Sequence, residues 1–393
     1  MVFLETIKSC LLAGLAASNR FAHHCRLPKA LRGGPVRSNG HLQAGGFMAA
    51  KLLDPKIVFL HDPLIYYQED PNILSSETGK NITEISFNEV ALWEYRNARV
   101  LPGAHGGLHG VSAVDRIIPG LNHQCLDENL FFETRFKVPK CSDYLESGFL
   151  LDGGPGANFY HWMIDILPAL GLARKALGTG LKFIINPYSK MRESQWDELG
   201  IPAESRVVSQ GPLKVGKLYT IGGLHNSLYG VFRPEPCLEF WRDFIKPQRH
   251  SRRLFVSRQD SDRRCLRNEA DLLGRLEKLG FEKVILNGLS LASQATLFSE
   301  ASDVIAMHGA GLSNFIHCQE GTRLIEIFPP GYAHGFYQYI CHIKGGIYSS
   351  AYSGKVVGDP GTGEFNAQPG VLGEEEILKI LSTYLYQLPP HCW

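Results

Sequence analysis

Residues 301–330 constrain the fold of this chain more than any other stretch. A short apolar run at 304–307, bounded by Asp303 and by a turn of small residues, has the pattern of a buried parallel strand. The turn, His308-Gly309-Ala310-Gly311, leads into an apolar-periodic segment that predicts a helix, and a second buried strand is predicted at 322–328. This order is typical of half a nucleotide-binding α/β unit, because the backbone N–H groups that begin such a helix attract an anion.

The glycine turn alone is weak evidence, since a tight strand-to-helix connection needs the same small residues. Two polar residues strengthen the case. His308 supplies a donor at the carboxyl end of the first strand, and Glu326 lies at the end of the next, where a ribose hydroxyl could be held. Ligands in open α/β sheets bind at those strand ends. We therefore expect a nucleotide site in this stretch.

The composition of the chain excludes several partners. Lys plus Arg number 40 and Asp plus Glu 39, and a net charge of +1 provides no basic field to attract nucleic acid or an anionic membrane. The longest apolar run near the start, 11–17, is far shorter than the roughly 20 residues of a bilayer span. The nine cysteines are scattered without zinc-like spacing, which favours reduced thiols. We therefore expect a cytoplasmic protein, or one peripheral at an inner membrane, with no transmembrane segment.

Three segments are predicted along the 393 residues, and the fold class is α/β. Residues 1–48, rich in Gly, Arg, His and Ala, have the composition of a disordered leader. Residues 49–235 alternate short strands with helices and predict an N-terminal α/β domain. A proline-rich boundary then precedes residues 236–393, whose regular strand–helix alternation predicts a C-terminal Rossmann-like domain.

His161 and Asp165 lie four residues apart, which places them one turn apart on one face of a predicted helix. Asn158 is the predicted N-cap, and Pro168 is expected to kink or end the helix. In the first helical turn the dipole disfavours a charged imidazole, and a neutral imidazole is what a base requires. The alternative is that His161 ends a helix and Asp165 lies on a solvated face.

Residues 251–267 contain six arginines, at positions 252, 253, 258, 263, 264 and 267. Arg258 follows a predicted strand and Arg264 lies on the loop before the next helix, where guanidinium groups suit a diphosphate. A solvated basic loop is the alternative. Asp260 and Asp262 form a pattern that could hold a divalent cation, but the arginines could neutralise the same charge, so no metal is expected.

These motifs together resemble glycosyltransferase family 61. The matching residues are 158–168, 256–260, Arg264, Asn268 with Glu269, 308–314, and Glu326 followed by Pro329. Their order and spacing make the resemblance specific, whereas the residues before 150 add little to it. Asp262 departs from the pattern, because the family has a small or variable residue there.

The resemblance implies two Rossmann-like domains facing a cleft, which is the GT-B arrangement, and an inverting, metal-independent transfer. Residues 49–235 would form the acceptor side and residues 236–393 would hold the nucleotide sugar. His161 or Asp165 would take the proton of the acceptor hydroxyl. The implied donor-binding residues are Arg258, Arg264, His308, Gly309, Ala310, Gly311, Leu312, Asn314 and Glu326.

We therefore expect a glycosyltransferase of bacterial type that moves a sugar from a nucleotide sugar to a hydroxyl of a glycan or lipid-linked oligosaccharide in surface-polysaccharide biosynthesis. The donor is a co-substrate, and no cofactor is expected. One alternative is a catalytically inactive nucleotide-sugar-binding protein. Another is a metal-dependent transferase that uses Asp260 and Asp262. An NAD-dependent dehydrogenase is disfavoured because the turn at 308–311 lacks the third spaced glycine.

Overall fold

The computed structural model describes residues 46–64, 66–67, 82–102, 108–111, 113, 118, 140–151, 158–185, 193–226, 230–244, 250–261, 263–330, 332–355 and 369–385. The chain divides into two compact units, the first made of Met1–Lys56 with Ser86–Cys237 and the second of Ile57–Ile85 with Leu238–Trp393. Residues 57–85, which the sequence analysis assigned to the N-terminal domain, thus lie in the second unit. Most of the predicted leader, 1–45, lies outside the described residues, and β1 begins at Phe47.

Twenty strands are described, in chain order. Up to residue 150 they are β1 Phe47–Leu53, β2 Lys56–Leu64, β3 Tyr66–Tyr67, β4 Ile82–Phe87, β5 Val90–Pro102, β6 Leu108–Val111 and β7 Asp143–Leu150. The next are β8 Phe183–Ile185, β9 Arg206–Val208, β10 Leu213–Gly222, β11 His225–Asn226 and β12 Val231–Phe232. The last are β13 Arg252–Val256, β14 Phe281–Val284, β15 Ala301–Met307, β16 Arg323–Phe328, β17 Ala333–His334, β18 Ile347–Tyr352, β19 Gly354–Lys355 and β20 Gly370–Val371.

The helices of the described residues are of three kinds. The α-helices are α1 Phe159–His161, α2 Leu167–Leu177, α3 Glu193–Glu198, α4 Pro234–Arg242, α5 Glu269–Leu276, α6 Leu291–Ser299, α7 Phe336–Ile343 and α8 Glu374–Leu385. A π-helical turn covers Trp162–Ile166, and 3₁₀ helices cover Ala203–Ser205, Glu277–Leu279 and Ala310–His317. Among these helices none is long and apolar enough to cross a bilayer.

The first unit is built on a seven-stranded mixed sheet in the order β1-β5-β10-β7-β8-β9, with β6 beside β5. Strands β10, β7, β8 and β9 run parallel to one another, and β1, β5 and β6 pair antiparallel. Its core includes Trp93, Tyr95, Val215 and Leu218, which are buried on one face of the sheet. Parallel strands buried in this way read as short apolar runs, as 183–185 does.

The second unit is built on a five-stranded sheet in the order β14-β13-β15-β16-β18, in which every pair is parallel. Apolar side chains from the strands and from α5 and α8 form its core, for example Phe255, Ile305, Leu272 and Ile380. Because the strands are parallel, the residues that follow β13 and β15 lie at one edge of the sheet. The α/β class predicted from the sequence is confirmed.

Ser290 and Asn268 each precede a helix, and one of them caps it. Ser290 caps α6, since its hydroxyl accepts from the backbone N–H of Ser293. Asn268 precedes α5 but does not cap it. Its side chain instead bonds both backbone groups of Leu372, at 2.9 and 3.0 Å, which ties the start of α5 to the segment before α8.

The helix predicted after the glycine turn is present. Residues Ala310–His317 form a 3₁₀ helix. The apolar side chains of Leu312, Phe315 and Ile316 are all buried, as their spacing predicts. A tighter helix keeps residues three apart on one face, which suits the spacing of Leu312 and Phe315.

Candidate active-site residues

His161, Asp165 and His225 form a polar group in the first unit, which we call the Asp165 cluster. His161 Nδ1 lies 2.7 Å from one carboxylate oxygen of Asp165, and His225 Nδ1 lies 3.2 Å from the other. Asp165 is only 2% exposed, so its carboxylate is satisfied by the two imidazoles rather than by water. The sequence placed His161 and Asp165 on one helical face, and the structure brings them into hydrogen-bonding contact.

The local helix explains how this contact arises. Asn158 caps α1, since its side chain accepts from the backbone N–H of Tyr160 at 2.9 Å. The helix then continues as a π-helical turn, in which the N–H of Leu167 bonds the carbonyl of Trp162. Pro168 therefore neither ends nor breaks the helical segment, because it falls in the first turn of α2, where a missing N–H costs little. Single π-helical turns of this kind occur often at functional sites.

The two imidazoles fix the charge of Asp165. Burial alone would raise the pKa of this carboxyl group, but His225 and His161 outweigh burial and hold the pKa of Asp165 well below its ordinary value. Asp165 is therefore a carboxylate across the physiological range. A buried carboxylate fixes the orientation and tautomer of the imidazole that it touches, because that ring donates its Nδ1–H to the carboxylate oxygen.

His225 is the member of this cluster that sequence reasoning missed. It lies on β11, 60 residues from Asp165, and the short hairpin β11–β12 carries it to the helix. No periodicity in the sequence links a single histidine in such a hairpin to a helix this far upstream. Only the fold reveals the contact.

Arg258 and Arg264, the arginine pair, lie in the second unit after the carboxyl end of β13. Arg258 donates to the carbonyl of Arg263 at 3.1 Å and to the hydroxyl of Ser261 at 3.2 Å, which are uncharged acceptors. Among the described residues neither guanidinium has a carboxylate within ion-pair distance. Burial and the neighbouring Arg264 lower the pKa of Arg258, which shows that the two cations oppose each other. An anion between them would relieve that repulsion.

Arg264 shows two further signs of an anion site. Its backbone φ is 54°, in the left-handed region that a residue with a side chain rarely adopts. Its buried Nε has no hydrogen-bond partner within the described part of the chain. The guanidinium carbon lies 5.8 Å from the ring centre of Tyr332, which stacks beneath the cation. A strained backbone together with an unsatisfied buried donor is found most often at binding sites and active sites.

The other arginines near this loop include three that are held by carboxylates. Arg252 binds Glu282 and Glu300, while Arg253 and Arg323 both bind the buried Asp303. These ion pairs lie at the amino-terminal ends of the strands, away from the edge where ligands bind. Arg252, Arg253 and Arg323 therefore have a structural role in the sheet, which distinguishes them from the arginine pair.

Gly309 has a neighbour that the sequence did not suggest. A Cβ atom at this position would overlap a terminal guanidinium nitrogen of Arg258, so the glycine leaves room for that side chain as it lies in the structure. A Cβ at Gly311 would meet a methyl group of Leu286 at 2.8 Å, which that side chain would have to move to accommodate. The sequence suggested that these glycines let a phosphate approach the main chain closely. The neighbours that the structure shows are protein side chains.

Two predicted donor-binding side chains are engaged within the protein. Asn314 is fully buried, and its amide donates to Gln294 at 2.8 Å and to the carbonyl of Gly311 at 3.0 Å. Leu312 is packed in the core. Both residues therefore hold the 3₁₀ helix in place, and with Ala310 they bring the backbone of the glycine turn to the strand edge.

His308, Glu326 and Tyr348 form the third polar group, which we call the His308 cluster. His308 Nδ1 contacts Oε1 of Glu326, and the hydroxyl of Tyr348 donates to Oε2 of the same carboxyl group at 2.7 Å. Glu326 has no exposed surface, so both of its oxygens are engaged inside the protein. Tyr348 lies on β18, a strand that the sequence analysis did not predict.

The His308 pair has the geometry of an ion pair, yet its surroundings favour the uncharged form of both members. Burial, and then Arg264 and Arg258, lower the pKa of His308 well below its ordinary value. Burial raises the pKa of Glu326 to about 8, although Tyr348 and Arg264 act in the opposite direction. Both shifts favour a neutral imidazole beside a protonated carboxyl group.

Comparison with known protein families relates part of this chain to one family. Residues 159–325 match the family model described as Glycosyltransferase 61. This region belongs to glycosyltransferase family 61. No curated protein matches the chain.

The glycosyltransferase 61 match covers most of the candidate residues. It includes the Asp165 cluster, the arginine pair and His308, and it ends one residue before Glu326. Tyr348 lies beyond it. The family therefore identifies a glycosyltransferase region with sugar donor and acceptor substrates, and it assigns no role to the buried partners of His308.

The alternative of a metal-dependent transferase depends on Asp260 and Asp262, and the structure describes only the first of them. Asp260 is exposed, and Asp262 lies outside the described residues. Within the residues that the structure does describe, no group of three or more His, Cys, Asp or Glu side chains could hold a metal ion. Metal binding by Asp260 and Asp262 stays a prediction, which the activity assay in EDTA tests.

Proposed function

We propose that this protein is an inverting, metal-independent glycosyltransferase that moves a sugar from a nucleotide-sugar donor to a hydroxyl of a glycan or lipid-linked oligosaccharide. The family match supports the transferase class. The setting that we propose is surface-polysaccharide biosynthesis in the cytoplasm or at the inner face of a membrane. The GT-B arrangement of two Rossmann-like domains around a cleft belongs to the same proposal.

The observation that carries the proposal is the arginine pair. Arg258 and Arg264 offer two permanently charged guanidinium groups that no described carboxylate neutralises. A nucleoside diphosphate is the leaving group of the transfer, and its negative charge grows as the sugar–oxygen bond breaks. Fixed cations and backbone N–H groups stabilise this charge in the transition state.

The Asp165 cluster supplies the base. The side chain of His161 is 13% exposed whereas that of Asp165 is 1% exposed, so the imidazole is the group that an acceptor can reach. Nδ1 of His161 donates to Asp165, which leaves Nε2 with a lone pair. The acceptor oxygen attacks the anomeric carbon, its proton passes to Nε2, and the bond to the diphosphate breaks from the opposite face.

The experiment is a transfer assay of the full chain against a panel of nucleotide sugars and acceptor glycans, with and without EDTA. We expect product from one donor class, with inverted anomeric configuration by proton NMR and an unchanged rate in EDTA. Donor binding without turnover would support the inactive binding protein instead. Activity lost in EDTA and restored by Mg²⁺ or Mn²⁺ would support the transferase that uses Asp260 and Asp262.

A further inference from the structure

A buried chain of hydrogen bonds runs from β18 through β16 to the end of β15. The hydroxyl of Tyr348 donates to one oxygen of Glu326, and the other oxygen contacts Nδ1 of His308. Tyr348 pairs with Leu324 in the parallel register of β16 and β18. Glu326 lies two residues after Leu324, so its side chain is on the same face of the sheet as that of Tyr348. His308 and Glu326 are buried, and Tyr348 is partly buried.

We propose that Tyr348 and Glu326 are positioning residues that hold His308 as an Nε2–H donor aimed at the donor's diphosphate. This role rests on the proposed function, since it names a further contact to the same ligand. Glu326 acts through the imidazole, whereas the sequence analysis expected it to bind the ribose directly. A direct ribose contact would require a fully buried carboxyl group to release both of its present partners.

The proton count makes Nε2 a donor whichever member of the pair carries the proton. When Glu326 is protonated, its O–H donates to Nδ1 and the neutral imidazole carries its hydrogen on Nε2. When the proton moves to Nδ1, the ring is an imidazolium, and Nε2 again carries hydrogen. Only loss of the shared proton leaves Nδ1–H bonded to a carboxylate and Nε2 without hydrogen. The cluster is therefore a donor below the pH at which this proton leaves.

The ligand follows from what surrounds His308. Aromatic rings of Tyr332 and Tyr337 lie 5.2 and 5.0 Å from the imidazole. Arg258 and Arg264 act on its charge, and Arg258 lies against the next residue, Gly309. A neutral N–H beside two guanidinium groups suits a phosphate oxygen, because it adds a donor without adding a third opposing cation.

The groups that act on the shared proton come from several elements. They are Arg258, Arg264, Tyr332, His334, Tyr337, Cys341 and Tyr348. The hydrogen bond from Tyr348 lowers the pKa of Glu326, and so does the charge of Arg264. Removing the Tyr348 hydroxyl therefore raises the pH at which the cluster loses its proton.

The test uses the full chain labelled with ¹⁵N-histidine, with His308 signals assigned from a His308→Gln variant. We expect a ring hydrogen on Nε2 at pH 7, lost as the pH rises through about 8. In Tyr348→Phe this transition moves to higher pH, while Tyr352→Phe, an exposed tyrosine of the same strand, leaves it unchanged. An imidazole with Nδ1–H and a bare Nε2 at pH 7, or a transition that Tyr348→Phe does not move, would overturn the proposal.

Inorganic diphosphate is the probe for the ligand contact, measured by calorimetry on the same proteins. We expect its affinity to fall about ten-fold to a hundred-fold when the Nε2–H is lost at high pH, as for one hydrogen bond to a charged group. The pH of that fall should rise in Tyr348→Phe together with the NMR transition. Diphosphate that binds at both pH values without shifting the Nε2 signal would refute the contact but leave the proposed transferase intact.

A Glu326→Gln variant separates positioning from direct ribose binding. If Glu326 acts through His308, the variant changes the ring signals of His308 and weakens inorganic diphosphate and a nucleoside diphosphate by the same factor. If Glu326 holds the ribose, only the nucleoside diphosphate is weakened and the His308 signals stay unchanged. The second result would contradict our inference. Conversely, the protein could show the expected His308 transition and diphosphate binding but transfer no sugar. That result would contradict the proposed function and leave this inference standing.

Discussion

The Asp165 cluster and the His308 cluster each pair a buried carboxyl group with an imidazole, and the pKa values of the two carboxyl groups are shifted in opposite directions. Asp165 is buried against two imidazoles and remains a carboxylate. Glu326 is buried against one imidazole and a tyrosine, and its pKa rises to about 8. Burial opposes ionisation in both places, so the neighbours decide the outcome.

The difference lies in what the imidazoles can contribute. The pKa of Asp165 is set by burial and by His225 and His161, and the attraction of the two imidazoles overcomes burial. His308 lies beside Arg264 and Arg258, which oppose a positive charge on its ring, so it cannot stabilise a carboxylate in the same way. Under our proposals, the histidine–carboxyl pair supports a base in the first unit and forms an uncharged donor in the second. A histidine–carboxylate contact alone does not reveal its function.

Removal of the base should give the largest effect. His161→Ala is expected to lower kcat by about 10²–10⁴-fold, the usual contribution of general base catalysis, with little change in donor affinity. Steady-state kinetics with a saturating acceptor would measure it. The control is His342→Ala, because that histidine donates to the carbonyl of Phe59 and has no part in the proposed chemistry. An unchanged kcat in His161→Ala would show that His161 is not the base.

Replacement of the arginine pair should come next. Arg258→Lys and Arg264→Lys keep a positive charge but lose the forked geometry, and each is expected to lower kcat/KM by about 10²–10³-fold. Calorimetry with nucleoside diphosphates should show weaker binding in both. Arg267→Lys, an exposed arginine of the same loop, serves as the control. Equal effects of all three variants would indicate a general basic surface rather than a built site.

Asp165→Asn should destabilise the first unit by about 3 kcal/mol at neutral pH, because it removes a buried charge from its partners. The folded pKa of Asp165 is lowered, so its contribution is present above the unfolded value and is lost as the pH falls. The Tm difference between wild type and variant should therefore shrink below about pH 4. A difference that stays constant from pH 7 to pH 3 would show that Asp165 is not held as an anion.

Glu326→Gln should show the opposite trend and a smaller effect, of about 1–3 kcal/mol for a disturbed buried hydrogen bond. The folded pKa of Glu326 is raised to about 8, so the wild-type advantage is full at low pH and declines as the pH rises through 8. Thermal unfolding from pH 5 to pH 9 measures this trend. A wild-type advantage that grew with pH would place a carboxylate, not a carboxyl group, beside His308.

Much of the fold could be predicted because parallel strands leave short apolar runs. The run at 304–307 was located from hydrophobicity alone and lies within β15. Strand β5 is harder to recognise, since Glu94, Arg96 and Asn97 interrupt its apolar pattern and Asn97 has a φ of 52°. Residues 336–352 received no prediction and form α7 and β18.

In the candidate sites, contacts between residues close in sequence could be predicted, and contacts between distant residues could not. The His161–Asp165 pair could be predicted because four residues make one helical turn. His225 and Tyr348 could not, because each reaches its carboxyl group from another strand. The orphaned Nε of Arg264 and the space that Gly309 leaves for Arg258 are likewise properties of the packed chain.

Infrared difference spectroscopy of the full chain tests the contrast between the two clusters most directly. The spectrum of wild type minus Glu326→Gln at pH 6.5 should contain the C=O stretch of a protonated carboxyl group, and that band should vanish above pH 9. The spectrum of wild type minus Asp165→Asn should contain only carboxylate bands at both pH values. A protonated carboxyl band assigned to Asp165, or carboxylate bands from Glu326 at pH 6.5, would contradict the difference in charge between the two carboxyl groups.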